Sequence, residues 1–271
     1  MSHPGIGPVV LVGPGKMGGA LARGWLAAGL DPSDLVLVHP RPSEALTQFA
    51  SDVGATISAV VPARPAGVLV LAVKPQKMAE VLPTARVAIS TDTLVMSVAA
   101  GISIETLARE LHTGRVIRTM PNTPVQVGKG VIGAVAGPGV TEDDMAAAEE
   151  LLGSSGEVVW LDEEAQIDAL TAISGSGPAY VFYLVEALAA AGAKLGLDQD
   201  LAMALARQTV IGAAGLLEAD PAPASVLREN VTSPKGVTFE ALKILMAEDG
   251  MQPLLDKAVA AARARSVELG K

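Results

Sequence analysis

Residues 8–25 read PVVLVGPGKMGGALARGW, and this stretch decides the fold. A continuous apolar run, PVVLVG (8–13), passes through a glycine-rich turn into Leu, Ala and Trp at helical spacing. An unbroken apolar run marks a strand buried on both faces. Gly13, Gly15 and Gly18 match G-x-G-x-x-G between that strand and the helix. There the first glycine permits the tight turn, the second lets the backbone approach a pyrophosphate, and the third lets helix and strand pack closely. Lys16 and Met17 open the helix, whose N-terminus offers unpaired N–H groups and partial positive charge to phosphates. An ordinary glycine-rich turn carries the same residues, but the strand–turn–helix setting favours a dinucleotide.

Outward from this unit, short β-rich runs recur up to about Trp160. They are LVLVH (35–39), GVLVLAVK (67–74), TLVMSVA (93–99), RVIRTM (115–120), GVIGAVA (130–136) and EVVW (157–160). Helix-compatible segments such as 16–28, 43–50, 103–112 and 141–153 lie between several of them. This alternation predicts a doubly wound α/β domain. After DEEAQIDAL (162–170) no strand pattern returns, and 164–173, 179–196, 199–218, 223–230, 238–248 and 251–268 read as helices. The expected organisation is an α/β Rossmann-type domain over 1–162, followed by an all-α domain over 163–271.

Composition narrows the function. Half of the 271 residues are hydrophobic, mostly Ala, Val and Leu, with two Trp, two Tyr and three Phe, so the core is aliphatic. A formal net charge of −9 argues against a nucleic-acid or anionic-membrane surface. The lack of cysteine excludes disulfides and thiolate chemistry, and fits a reducing, cytoplasmic setting. His3, His39 and His112 are too scattered to suggest a metal centre or a Ser-His-Asp triad. The start, MSHPGIGPVV, lacks the basic-then-apolar pattern of a secretory signal. The apolar segment Ala179 to Leu195, interrupted by Glu186 and Lys194, reads as a buried helix rather than a membrane span.

The end of the second strand bears on the cofactor. A carboxylate there would bind the ribose 2′-hydroxyl of NAD. The chain instead reads VLVHPRPSE (36–44), with His39 and Arg41 and no acid before Glu44. A guanidinium can bind a 2′-phosphate bidentately. NADPH is therefore expected, with NADH usable but less favoured; the other reading of Arg41 is a solvated loop residue. LAVKPQ (71–76) puts Ala72, Val73, Lys74 and Pro75 at the carboxyl edge of another strand, where ligands of such sheets bind. Lys74 reads equally as a cofactor contact or as a rim lysine. Ala99 and Ala100 are small enough for a nicotinamide ring to approach the backbone.

Five motifs, in order over nearly the whole chain, carry a resemblance. They are GPGKMG (13–18), LAVKPQ (71–76), RTMPNTP (118–124), SGSGPAY (174–180) and LRENVTSPKGVT (227–238). Together they resemble the pyrroline-5-carboxylate reductase family, which catalyses the last step of proline synthesis. The resemblance implies NAD(P)H-dependent reduction of 1-pyrroline-5-carboxylate to L-proline, with a helical domain that dimerises and often assembles into pentamers of dimers. It also implies that the substrate meets Ser176 and the turn formed by Ser233, Gly236, Val237 and Thr238. Thr238 would offer its hydroxyl to the ring nitrogen, and Asn230 would reach the cofactor. On residue chemistry alone, Thr238 reads as a helix N-cap.

Three departures stand out: Lys235 where the family commonly has Gly, Val237 where it often has Thr or Ala, and Asp220 as the nearest match to an expected carboxylate. SGSGPAY is expected to start a helix at Pro178, with Tyr180, Phe182 and Tyr183 pointing in different directions around it. A runner-up is an NADP-dependent β-hydroxyacid dehydrogenase, whose helical-domain lysine is followed by paired asparagines. Lys194 in GAKLGLDQD (192–200) lacks them. A non-catalytic NADPH-binding protein would need neither SGSGPAY nor the VTSP turn.

Overall fold

The runs VVLV, LVLV, VLVL and LVMS are buried at every position, because helices cover both faces of the sheet they form. The computed structural model describes residues 6–270. His3 and the first five residues of the segment scanned for a secretory signal lie outside the described residues. The strands are β1 (Val9–Val12), β2 (Leu35–Val38), β3 (Thr56–Ser58), β4 (Val68–Leu71), β5 (Leu94–Ser97), β6 (Val116–Pro121), β7 (Gly130–Ala136) and β8 (Gly156–Trp160). They form one sheet in the order β3-β2-β1-β4-β5-β6-β7-β8. All neighbours run parallel except β6 and β7. Val12 pairs with both Val38 and Leu71, so the carboxyl ends of β1, β2 and β4 lie level. The order reverses between β1 and β4, the switch point at which open sheets of this kind bind ligands.

Alternate strand residues feed two cores. Val9, Leu11, Leu35 and Leu37 pack on α1 (Lys16–Ala27), α2 (Glu44–Val53) and α5 (Glu142–Gly153), with Trp25 fully buried among them. Val10, Val12, Leu69 and Leu71 face α3 (Pro75–Ala85) and α4 (Ile104–Leu111), and Ile167 of α6 (Gln166–Leu170) joins that side. Two elements have weak sequence signals. β3 is three residues long at the edge of the sheet and lacks a buried run. α3 carries Pro83 inside it, which disguises its helical pattern.

The helical half comprises α7 (Gly177–Lys194), α8 (Gln199–Ala219), α9 (Ala224–Asn230), α10 (Val237–Leu245) and α11 (Met251–Leu269). Compactness divides the chain into one unit that ends at Gly175 and includes Arg263 onward, and another of Ser176–Ala262. α6 and the turn after it, though past residue 162, thus group with the sheet. The serine–glycine run differs from expectation. The helical path does not pause before Pro178; Thr171–Gly175 form a π-helical turn and α7 starts at Gly177, with Pro178 at its second position.

In the second unit α7 packs on α8 through Ala189, Ala202 and Ala206, and Gly192 brings the two backbones together. Little else in these helices is buried. Phe182 is 63% exposed and Tyr183 70%, and Leu188, Ile211 and Leu216 are also exposed. Among the described residues, α8 alone is long and apolar enough to cross a membrane.

Candidate active site

The three glycines behind α1 have three different surroundings. Gly13 has φ +85°, and a Cβ there would lie 2.6 Å from Val73 Cγ1 and 3.0 Å from the Ala72 carbonyl oxygen. Its N–H donates to the Val38 carbonyl at 3.0 Å, tying the turn to β2. Gly18 is buried, and a Cβ there would meet Ala72 Cβ and the Gly13 carbonyl oxygen at 3.0 Å. Gly15 instead is exposed, with only the Gly13 carbonyl oxygen near a Cβ position, at 3.9 Å. It is the N-cap of α1 and makes no side-chain capping bond, so the first N–H groups of the helix stay open. Two glycines thus allow close packing and the third leaves the backbone accessible, the arrangement a pyrophosphate needs. Lys16 is exposed and Met17 half-buried at the first two helical positions.

The other candidate cofactor residues follow the carboxyl ends of neighbouring strands. Arg41 is exposed just beyond β2, and its backbone N–H donates to His39 Nδ1 at 3.2 Å. Among the described residues its guanidinium engages no carboxylate. Glu44 lies in the first turn of α2, past the Ser43 cap. Lys74 is the exposed N-cap of α3, Pro75 its first residue, and Ala72 and Val73 back the glycine turn. Beyond β5, Ala99 is buried, Ala100 is exposed, and Gly101 turns the chain with φ +73°. Gly13, Arg41, Ala72–Pro75 and Ala99–Ala100 therefore share one edge of the sheet.

The candidate substrate residues fall in the helical unit. Ser233 to Gly236 form a turn closed by the Gly236 N–H donating to the Ser233 carbonyl at 2.9 Å. Pro234 is its second residue, and Lys235, with φ +60°, its third, the pattern of a type II turn. A Cβ on Gly236 would lie 2.2 Å from Ser233 Oγ, so glycine is required if the hydroxyl is to stay where it is. Gly236 is also the N-cap of α10, with no side-chain capping bond. Thr238 is therefore not the cap; it is exposed at the second helical position, and the capping reading is corrected. Val237 is 92% exposed, and the N–H groups of Val237, Thr238 and Phe239 have no partners within the helix.

Asn230 ends α9 and is exposed, and Thr232 links α9 to the turn through its hydroxyl, which donates to the Arg228 carbonyl at 2.6 Å. Asp220 is the C-cap just beyond α8 and accepts from the Ala222 N–H at 2.9 Å, a local turn contact. The structure thus gathers Ser233, Gly236, Val237 and Thr238 at one turn and the start of the helix it opens. Ser176 stands elsewhere in the chain, half-buried just before α7, and among the described residues no hydrogen bond joins it to that turn.

RTMPNTP received no role from the sequence, yet three of its polar side chains are committed. Arg118 pairs with Glu164 at 2.7 Å, and Glu164 also accepts from the Ile104 N–H that opens α4. Thr119 Oγ1 donates to the Ser97 carbonyl at 3.1 Å, and Asn122 Nδ2 to the Ser174 carbonyl at 3.0 Å. The available signal was polar residues in a buried strand, which seldom stand without partners.

Comparison with known proteins bears on this geometry. Residues 164–269 match the family described as pyrroline-5-carboxylate reductase dimerisation, and residues 8–101 that described as NADP oxidoreductase, coenzyme F420-dependent. The chain is 38% identical to the pyrroline-5-carboxylate reductase of Pseudomonas aeruginosa, covering 97% of both chains. It belongs to the pyrroline-5-carboxylate reductase family. The Arabidopsis thaliana enzyme is 37% identical, over 97% of this chain and 95% of its own. A solved pyrroline-5-carboxylate reductase from Coxiella burnetii superposes with a TM-score of 0.91 at 34% identity, over 98% of this chain and 99% of that one. The Plasmodium falciparum enzyme, solved with NADP bound, gives 0.80 at 28% identity, over 97% and 98%. Both the Rossmann-type sheet and the helical half are thus those of the family.

Proposed function

We propose that this chain reduces 1-pyrroline-5-carboxylate to L-proline with NADPH, the last step of proline biosynthesis. The observation that carries this reading is the full-length match to pyrroline-5-carboxylate reductases, the Pseudomonas aeruginosa enzyme among them. The glycine cradle fits a dinucleotide: Gly13, Gly15 and Gly18 with the N-terminus of α1 would hold the pyrophosphate, and Arg41 the 2′-phosphate. Bound NADPH supplies the hydride that reduces the imine carbon. Ala72 to Pro75 and the Ala99–Ala100 turn offer small or backbone surface along the same edge, and Asn230 remains a cofactor candidate.

The substrate carboxylate suits the VTSPKGVT turn. Open N–H groups at the start of α10, with Ser233 Oγ beside Gly236, supply donors for an anion. The Thr238 hydroxyl meets the ring nitrogen in a hydrogen bond, leaves the imine protonated, and fixes which ring atom is presented. Ser176 contributes a second small polar contact. The exposed apolar surface of α7 and α8 lies within the matched dimerisation region, so we read it as subunit contact rather than a membrane span. The working form is a homodimer, able to assemble further through contacts between dimers, in the cytoplasm and with no nucleic-acid partner.

An assay that follows NADPH absorbance with pyrroline-5-carboxylate, and separately with a β-hydroxyacid and its oxidised partner, tests the reading. NADPH consumption with the imine alone supports it; turnover only with the hydroxyacid pair transfers the assignment to the dehydrogenases.

A further inference from the structure

Asn122 lies one residue beyond the last paired position of β6 and β7, Pro121 with Ile132, and is 7% exposed. Its own carbonyl turns away to accept the Val125 N–H at 3.3 Å. The ladder position thus vacated is filled by its side chain: Oδ1 accepts the Val131 N–H at 2.9 Å, while the Asn122 N–H donates to the Val131 carbonyl at 3.2 Å. A backbone N–H can only donate, so this contact fixes which way the amide faces. Nδ2 must then point the opposite way, and it meets the carbonyl of Ser174 at 3.0 Å.

That carbonyl needs an outside donor for a reason written in the sequence. In a continuous helix it would accept from the residue four positions on, which is Pro178 and has no N–H. A proline ring also crowds the carbonyl four residues before it, which favours an opened turn at that point. The π-helical turn Thr171–Gly175 is that opening. Its side chains do not cover the gap, since Ser174 Oγ donates to Leu170 and Thr171 Oγ1 to Ile167. The turn is seated on the sheet, because Gly133 of β7 leaves room for Leu170, whose Cδ1 would lie 2.4 Å from a Cβ there.

We propose that Asn122 is a positioning residue for the reductase reaction: it supplies the donor that Pro178 removes, holds the π-helical turn open, and so sets how Ser176 is presented. This rests on the reading of Ser176 as a substrate contact. RTMPNTP and SGSGPAY are then two halves of one device, joined by the hydrogen bond from Asn122 to Ser174.

Asn122→Asp separates the two links of this amide, since the carboxylate still accepts from Val131 but cannot donate to Ser174. With NADPH and pyrroline-5-carboxylate, the folded variant is expected to show KM for the imine raised about tenfold. Its kcat and its NADPH affinity stay near those of the parent. Hydrogen exchange at the amides of Ser176 and Gly177 should quicken while those of β6 and β7 do not. An unchanged KM with unchanged exchange, or an equal loss of kcat, NADPH affinity and sheet protection, would overturn the proposal. Should the aspartate variant not fold, Pro178→Ala serves, because it restores a helical N–H that competes for the Ser174 carbonyl. A raised KM for the imine is expected there too, and an unaltered one refutes the idea. If the parent protein does not reduce the imine, the proposed function fails, while the exchange comparison still decides whether Asn122 holds the turn.

Discussion

Lys235 stands with φ +60° at the third position of the Ser233–Gly236 turn, where a side chain is strained by about 1 kcal/mol relative to glycine. Its sequence neighbours reveal the turn, but nothing in a lysine reveals a left-handed backbone. The side chain is exposed, and among the described residues it makes no hydrogen bond or ion pair. Lys235→Gly should therefore raise stability by about 1 kcal/mol in urea titration, with turnover nearly unchanged. A large loss of turnover would make Lys235 a substrate-binding cation. Thr238 is the opposite case. It is not the cap of α10, so Thr238→Ala should leave stability nearly intact and lower kcat about ten- to hundredfold. Normal turnover in that variant removes Thr238 from the site. Arg41, exposed beyond β2, is tested by Arg41→Asp, which should weaken NADPH use far more than NADH use; equal losses would remove it from cofactor choice.

Among the elements, those with continuous apolar runs were legible and those that rely on tertiary contacts were not. β1, β2, β4 and β5 are buried at every position and announce themselves. The π-helical turn does not, because the donor for its Ser174 carbonyl is Asn122, which lies far from it in sequence. α5 was legible as 141–153, yet it too is tied to the sheet by a tertiary contact. Thr141 and Asp144 form its capping box, and Asp144 also accepts from Nε and Nη2 of Arg115, the residue just before β6. Burial opposes the charge on Asp144, yet the bonds from Arg115 and Thr141 outweigh it and hold the carboxyl below its usual range. Its contribution to stability is thus complete above the unfolded value of about pH 4 and is lost as pH falls through the lower folded value. Asp144→Asn should cost about 2–3 kcal/mol at neutral pH and flatten the fall of Tm in acid. A variant as stable as the parent at neutral pH would show the pair to be incidental.

At the scale of the whole molecule, the alternation of strands and helices gave the order of the two halves. Where compactness divides them, after Gly175, was hidden, because α6 continues the helical pattern while packing Ile167 against the sheet. Three of the chain's seven aromatics, Tyr180, Phe182 and Tyr183, lie on α7, and Phe182, Tyr183 and Leu188 are exposed: a helix this apolar needs a covering surface. Light scattering should find a dimer or larger assembly at micromolar concentration, and an active monomer would refute that. The central claim, reduction of the imine carbon of 1-pyrroline-5-carboxylate by NADPH, is tested most directly by isotope transfer. With NADPH deuterated at the transferring position of the nicotinamide, mass spectrometry should find L-proline carrying one deuterium on the ring CH2 beside nitrogen, not on the carbon that bears the carboxylate. Proline free of deuterium, or no proline at all, would contradict the account.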